Sequence, residues 1–179
     1  MGEARRAEEA RLFCAAMFAP DGDVQSALDA LGGRYGALAG SYGPIAFSFS
    51  SYYEPEMGPD LQKLYVVFQQ PFERDQVAAA KVFTNEIELR LAKDGRRRVN
   101  LDPGYLSRDK LVLATTKDFF HRIYLSRGIY AEVTLHYREG RYRHFSWTYA
   151  DYKEPSFLGF LARMRAQLVG DLRRGAARR

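Results

Sequence analysis

Cysteine is nearly missing from this sequence: one residue, Cys14, in 179. A lone cysteine forms no internal disulfide, and a small oxidised scaffold is excluded. Histidine is scarce too, at three residues, dispersed as His121, His136 and His144, so a structural zinc site has too few ligands. No apolar run approaches the ~18 residues that a membrane-crossing helix needs. No Gly-x-x-x-x-Gly-Lys-Ser/Thr loop, no Gly-x-Gly-x-x-Gly fingerprint and no Gly-x-Ser-x-Gly elbow occurs. The first ten residues carry charges of both signs without an apolar stretch, unlike a secretory signal. A cytoplasmic location and no membrane partner are expected.

What is present suits a packed domain. Hydrophobic residues make up 46% of the chain and aromatics 14%, including twelve tyrosines and twelve phenylalanines, which rules out overall disorder. The length fits a single domain, 1–179, with 1–9 and 171–179 as frayed extensions. Net charge is +5. Part of it lies in Arg173, Arg174, Arg178 and Arg179, a tail that either holds phosphates or only solvates a helix end.

The pattern predicts an α+β fold. Leu12–Ala19 reads as a strand buried on both faces. Asp23 caps a helix with Val24, Leu28, Leu31, Tyr35 and Leu38 on one stripe. After a turn at Gly43-Pro44, residues 45–50 alternate as a strand. Residues 52–59 read as a loop, and Leu64–Phe68 as a strand that Pro71 ends. A helix opening at Asp75 carries the stripe Ala80, Phe83, Ile87 and Leu91, with Glu86, Glu88, Arg90 and Lys93 on its remaining surface and Gly95 as its cap. Val99–Leu101 is a short strand broken by Pro103-Gly104. Strand, helix, strand, strand, helix, strand is the ferredoxin-like βαββαβ core, with an antiparallel sheet. A short helix from Ser107 through Ala114, a β-hairpin region (121–125, 129–137 and 142–145) and a C-terminal helix from Pro155 extend it.

Four stretches can carry chemistry. Asn100 and Asp102 stand at a strand end facing a turn, which either binds a ligand or bonds local backbone. Thr115–Arg122 holds Thr116, Lys117, Asp118, His121 and Arg122, either an anion cradle with a proton carrier or a polar connection. Glu132 shares a strand face with Tyr130, Thr134 and His136, either a site or a solvated face. Tyr52 and Glu56 lie on a loop that is a lid, a stacking surface, or simply pinned to the sheet. Together they suggest a site for an anionic or phosphorylated, nucleotide-like small molecule. Lys110, Lys117 and Arg122 would supply positive charge. Asp102 and Glu132 would hold a divalent cation such as magnesium or act as base, and His121 would carry the proton. The alternatives are a nucleic-acid-binding module using the sheet face and a protein-interaction domain without a ligand.

Several segments, among them Tyr52–Gly58, Phe83–Glu86, Arg98–Leu106, Lys110–Asp118, His121–Leu125, Gly128–Leu135 and Trp147–Tyr152, resemble the prokaryotic family called domain of unknown function 4416. The resemblance covers about residues 11–170. It implies no activity, and its motifs fall on the polar candidates above. Some members are labelled GTP-binding. Here Thr116-Lys117-Asp118 is followed by Phe119, which departs from the Asn/Thr-Lys-x-Asp pattern of guanine recognition.

Overall fold

Strand β1, Ala10–Phe18, is apolar on both faces and occupies the middle of the sheet. Leu12, Cys14 and Ala16 face one core, Phe13 and Ala15 the other. The computed structural model describes residues 1–176. After β1 come α1 (Val24–Tyr35), β2 (Leu38–Ala46), the short α2 (Glu54–Met57), β3 (Gln62–Phe72), α3 (Val77–Arg90) and β4 (Val99–Leu106). Then follow β5 (Lys110–Thr115), β6 (Ile123–Ser126), β7 (Ile129–Arg138), β8 (Arg141–His144) and α4 (Pro155–Ala176). The strands form one eight-stranded sheet in the order β2-β3-β1-β4-β5-β7-β6, with β8 also on β7. Every recorded pairing in it is antiparallel.

Helices cover the central strands on both sides. Ala27 and Leu31 of α1 and Ala80 and Ile87 of α3 pack with the even residues of β1. Phe157, Leu161, Met164 and Leu168 of α4 pack with the odd ones, the stripe that the sequence predicts. The Asp23 carboxylate accepts from the Ser26 amide at 3.0 Å, as an N-cap should. Residues 171–176 belong to α4, and Arg11 ion-pairs with Asp171. Of the basic tail, Arg178 and Arg179 lie outside the described residues.

Several local expectations are corrected. Gly43-Pro44 lies inside β2, at a register shift between Tyr42 and Ile45, so the strand begins earlier than the turn residues suggest. Pro71 does not end β3 but pairs with Arg11. Helix α3 stops at Arg90, and Gly95 instead serves a tight turn joining Lys93 to Arg96. The loop 52–59 contains α2. Residues 110–115 are a strand, not part of a helix. A short apolar run has no period that separates the two, and Leu111–Ala114 is buried throughout.

Most consequential is β4. Its backbone continues through Pro103-Gly104, but its ladder with β5 does not. The pairing covers only Gly104–Leu106 against Leu111–Leu113. A strand's backbone groups point to alternate edges, and Leu101 turns its amide and carbonyl away from β1. Residue 103 shares that edge and, as proline, has no N–H to give β5. The two strands therefore part beyond Gly104. At Gly104 itself they approach so closely that a Cβ would collide with the Val112 carbonyl oxygen.

Candidate functional site

A cavity of about 630 Å³ sits where β4 and β5 part. Its floor comes from α3. The Lys81 ammonium donates to the Leu101 carbonyl at 2.6 Å and to Asp102 Oδ1 at 3.3 Å. The Leu101 amide donates to Glu88 Oε1 at 2.8 Å. Two side chains of α3 thus satisfy the backbone groups that β5 leaves unpaired, as buried backbone requires. Lys81, Asn85 and Glu88, four and three residues apart, form a polar stripe facing the cavity. Glu88 is buried, not part of the helix's outer surface.

The carboxyls of this floor are tuned in opposite directions. Burial pushes Glu88 above its ordinary range, partly offset by Lys81 and the Leu101 amide. Burial acts upward on Asp102 too. There the charges of Lys81 and Lys63, with hydrogen bonds from Lys81 and Asn100, outweigh it and hold the group below its ordinary value. Beside them Arg97 grips Glu56 with two bonds of 2.6 Å and donates to Asn100 Oδ1 at 2.8 Å. Those bonds hold Glu56 low.

A second cluster lies across the cavity. Lys63 of β3 donates to Asp151 Oδ2 at 2.5 Å, and the Tyr65 hydroxyl donates to the same oxygen at 2.7 Å. Both Lys63 and Asp151 are buried. The Lys63 ammonium also lies 4.8 Å from the centre of the Tyr152 ring. Burial pushes the Tyr152 and Tyr53 hydroxyls upward, so both remain neutral.

The third cluster comes from β7 and the connection between β5 and β6. Glu132 Oε2 accepts from Arg122 Nε at 2.8 Å and lies 3.0 Å from His121 Nε2. Arg122 also donates to the Lys117 carbonyl and the Tyr149 hydroxyl. The Lys117 ammonium reaches the Tyr52 hydroxyl at 2.9 Å. Among the described residues it is the one cavity-lining cation with no carboxylate partner within salt-bridge distance.

Of the residues singled out from sequence, Asn100, Asp102, Thr116, Lys117, Arg122, Glu132 and Tyr52 line this cavity. Glu132 and Thr134 are buried, so their strand face is not solvated. His121 stands behind Glu132, its ring stacked on Trp147 with centres 5.0 Å apart, and does not line the cavity. Glu56 acts from behind Arg97. Asp118 is exposed and lies outside the lining. Lys110 sits at the far end of β5 beside Asp109. Sequence reasoning missed Lys63, Lys81, Glu88, Arg97, Asp151 and the tyrosines at 149 and 152. The spacing of Lys81, Asn85 and Glu88 was a usable signal.

Asp102 and Glu132 do not make a cation cage. The oxygens of Asp102 accept from Lys81 and Asn100, and Glu132 Oε2 is engaged as above. Among the described residues no three or more His, Cys, Asp or Glu side chains converge as metal ligands. No helix is long and apolar enough to cross a membrane.

The model of a family described as domain of unknown function (DUF4416) matches residues 8–168. No curated protein and no solved structure matches the chain.

Proposed function

We propose, from the premise that the chain belongs to the domain of unknown function (DUF4416) family, that it binds a small anionic molecule, phosphorylated or carboxylated, in the cavity between β4 and β5. One observation carries this reading: charged side chains from β3, α3, β4, β7 and the 116–122 connection line a single concavity. Its volume lies within the range of about 300–1,000 Å³ usual for small-molecule sites. Lys63, Lys81, Arg97, Lys117 and Arg122 line it against Glu88, Asp102, Glu132 and Asp151. Most of that charge is internally paired, and Lys117 is left to meet an anion beside the Thr115 and Thr116 hydroxyls. Burial raises Glu88 while the neighbouring lysines lower Asp102, so the floor holds two carboxyls of unequal acidity.

The sheet that frames the site reads as ferredoxin-like over its first four strands. These run β4-β1-β3-β2, all antiparallel, with α1 and α3 on one face. Nucleic-acid binding by an open sheet face fits less well, because helices cover both sides of the central strands. A cytoplasmic setting accords with the single, buried cysteine.

The test is a thermal-shift screen with nucleotides and phosphorylated and carboxylated metabolites, with and without magnesium. A ligand that binds only the folded state raises the melting temperature. Lys117→Ala is expected to weaken the best binder about tenfold, a loss of about 1.4 kcal/mol. Its own melting temperature should change little, because Lys117 is exposed. No shift at millimolar concentration for any compound refutes the reading.

A second reading, protein association, rests on a separate observation. Phe119, Phe120, Ile123, Tyr124 and Leu125 are all exposed on and just before β6, at the end of the sheet order. An uncovered apolar edge strand is a template for pairing. Light scattering should then give a mass rising above 20.5 kDa with concentration, and Ile123→Lys should abolish the rise. A constant monomer mass counts against self-association.

A further inference from the structure

Glu132 has two carboxylate oxygens in different circumstances. Oε2 is engaged by Arg122 and His121. Oε1 is buried, and no protein donor among the described residues reaches it. The residue is 4% exposed and lines the cavity. The Tyr152 hydroxyl is in the same condition: 1% exposed, lining the cavity, and without a partner. Buried polar atoms are nearly always paired, so each exception asks for an explanation. Two exceptions on the wall of one concavity share one: they are completed by what enters it.

The chemistry of the two atoms says what must enter. An ionised carboxylate only accepts hydrogen bonds, whereas a tyrosine hydroxyl gives or takes one. Whatever meets Glu132 Oε1 must therefore donate. The Arg122 guanidinium joins Glu132 to the Lys117 carbonyl, and the Lys117 ammonium, without a carboxylate partner, bonds the Tyr52 hydroxyl instead. A compound that satisfies both ends is negative at one and a donor at the other. The surroundings of Glu132 suit a nitrogen donor: Arg122 already offsets its charge, and Tyr149, bonded to the same Arg122, is an aromatic residue of the lining of a kind that packs well with a planar or ammonium nitrogen.

We propose that the ligand is an amine- or amide-bearing anion, its anionic group at Lys117 and its N–H donated to Glu132 Oε1. This rests on the small-anion reading above and narrows it to one chemical class. It also gives Glu132 a role that needs neither a metal nor proton transfer. Arg122 and His121 are positioning residues, fixing Oε2 so that Oε1 faces the ligand.

Glu132→Gln is the informative change because it alters polarity more than shape. Arg122 Nε must still donate, so the new amide turns its oxygen toward Arg122. Its NH₂ then falls where Oε1 was, and an acceptor becomes a donor.

The experiment uses the full chain and two matched probe pairs, read by calorimetry. Adenosine and purine-riboside monophosphates differ in the presence of the 6-amino group, and phosphoethanolamine and ethyl phosphate differ in the presence of the amine. In the wild type, the amino member of at least one pair should bind about tenfold or more tightly than its partner. Glu132→Gln should erase or reverse that preference. Lys117→Ala should weaken both members equally. If the members of each pair bind alike in the wild type, while Lys117→Ala still weakens them, the donor proposal falls and the small-anion reading stands. If no probe binds, both fall. The wild-type comparison decides even if Glu132→Gln does not fold.

Discussion

Lys81→Met should lower the melting temperature by roughly 10 °C, the largest effect of any single change in the cavity floor. Methionine keeps the bulk of the lysine stem and removes the charge. The Leu101 carbonyl then loses its donor, and Glu88 and Asp102 lose the cation between them. Breaking a buried ion pair by removing one partner costs about 3–5 kcal/mol, and about 2–4 °C accompanies each kcal/mol at this chain length. The deficit should also depend on pH, with a sign that follows from the carboxyls. Glu88 is already raised by burial against the pull of Lys81. A raised carboxyl costs stability as pH climbs through the interval above its unfolded value, and losing Lys81 widens that interval. Asp102 is depressed mainly by Lys81 and Lys63 acting against burial. It therefore contributes stability above its unfolded value that is lost as pH falls, and the variant has less of this to lose. The Glu88 effect makes the deficit larger at pH 8 than at pH 5, whereas the Asp102 effect narrows it only as pH falls below the ordinary aspartate range. Thermal unfolding of wild type and variant at several pH values tests it. A gap under about 1 kcal/mol, below the range for a broken buried pair, or one equal at every pH, contradicts the assignment.

Asp151→Ala should be nearly as damaging. It strands the Lys63 ammonium and the Tyr65 hydroxyl in a buried setting, again at about 3–5 kcal/mol. Lys63 keeps only the ring faces of Phe47, Tyr65 and Tyr152, a weaker substitute. Lys63→Met combined with Asp151→Leu should recover much of the loss, since an apolar pair of similar volume often replaces a buried ion pair without penalty. Denaturant unfolding of the single and double variants checks this. Additive losses in the double variant would show that the two residues do not act as a pair.

The legibility of this site in the sequence differed by residue for physical reasons. Asn100, Asp102, Lys117, Arg122 and Glu132 were recognisable as polar groups at strand ends or within apolar strands, where polarity needs a reason. Lys81 and Glu88 were not, because charges on a helix usually face water. Only the stripe they form with Asn85, beside the apolar residues of α3, betrays that they turn inward. Lys110 was misassigned with the misread helix: as a strand, β5 carries Lys110 and Thr115 to opposite ends, about 17 Å apart at some 3.3 Å per residue. Pro71 and Pro103 misled in the same way. Proline removes one donor from one edge of a strand, which interrupts pairing there and leaves the backbone free to run on.

Backbone rungs are indifferent to residue type, and the two that secure Leu101 are not. They are lent by positions 81 and 88, so the edge that Pro103 leaves open rests on two helix side chains. That edge is thereby placed under the control of single codons.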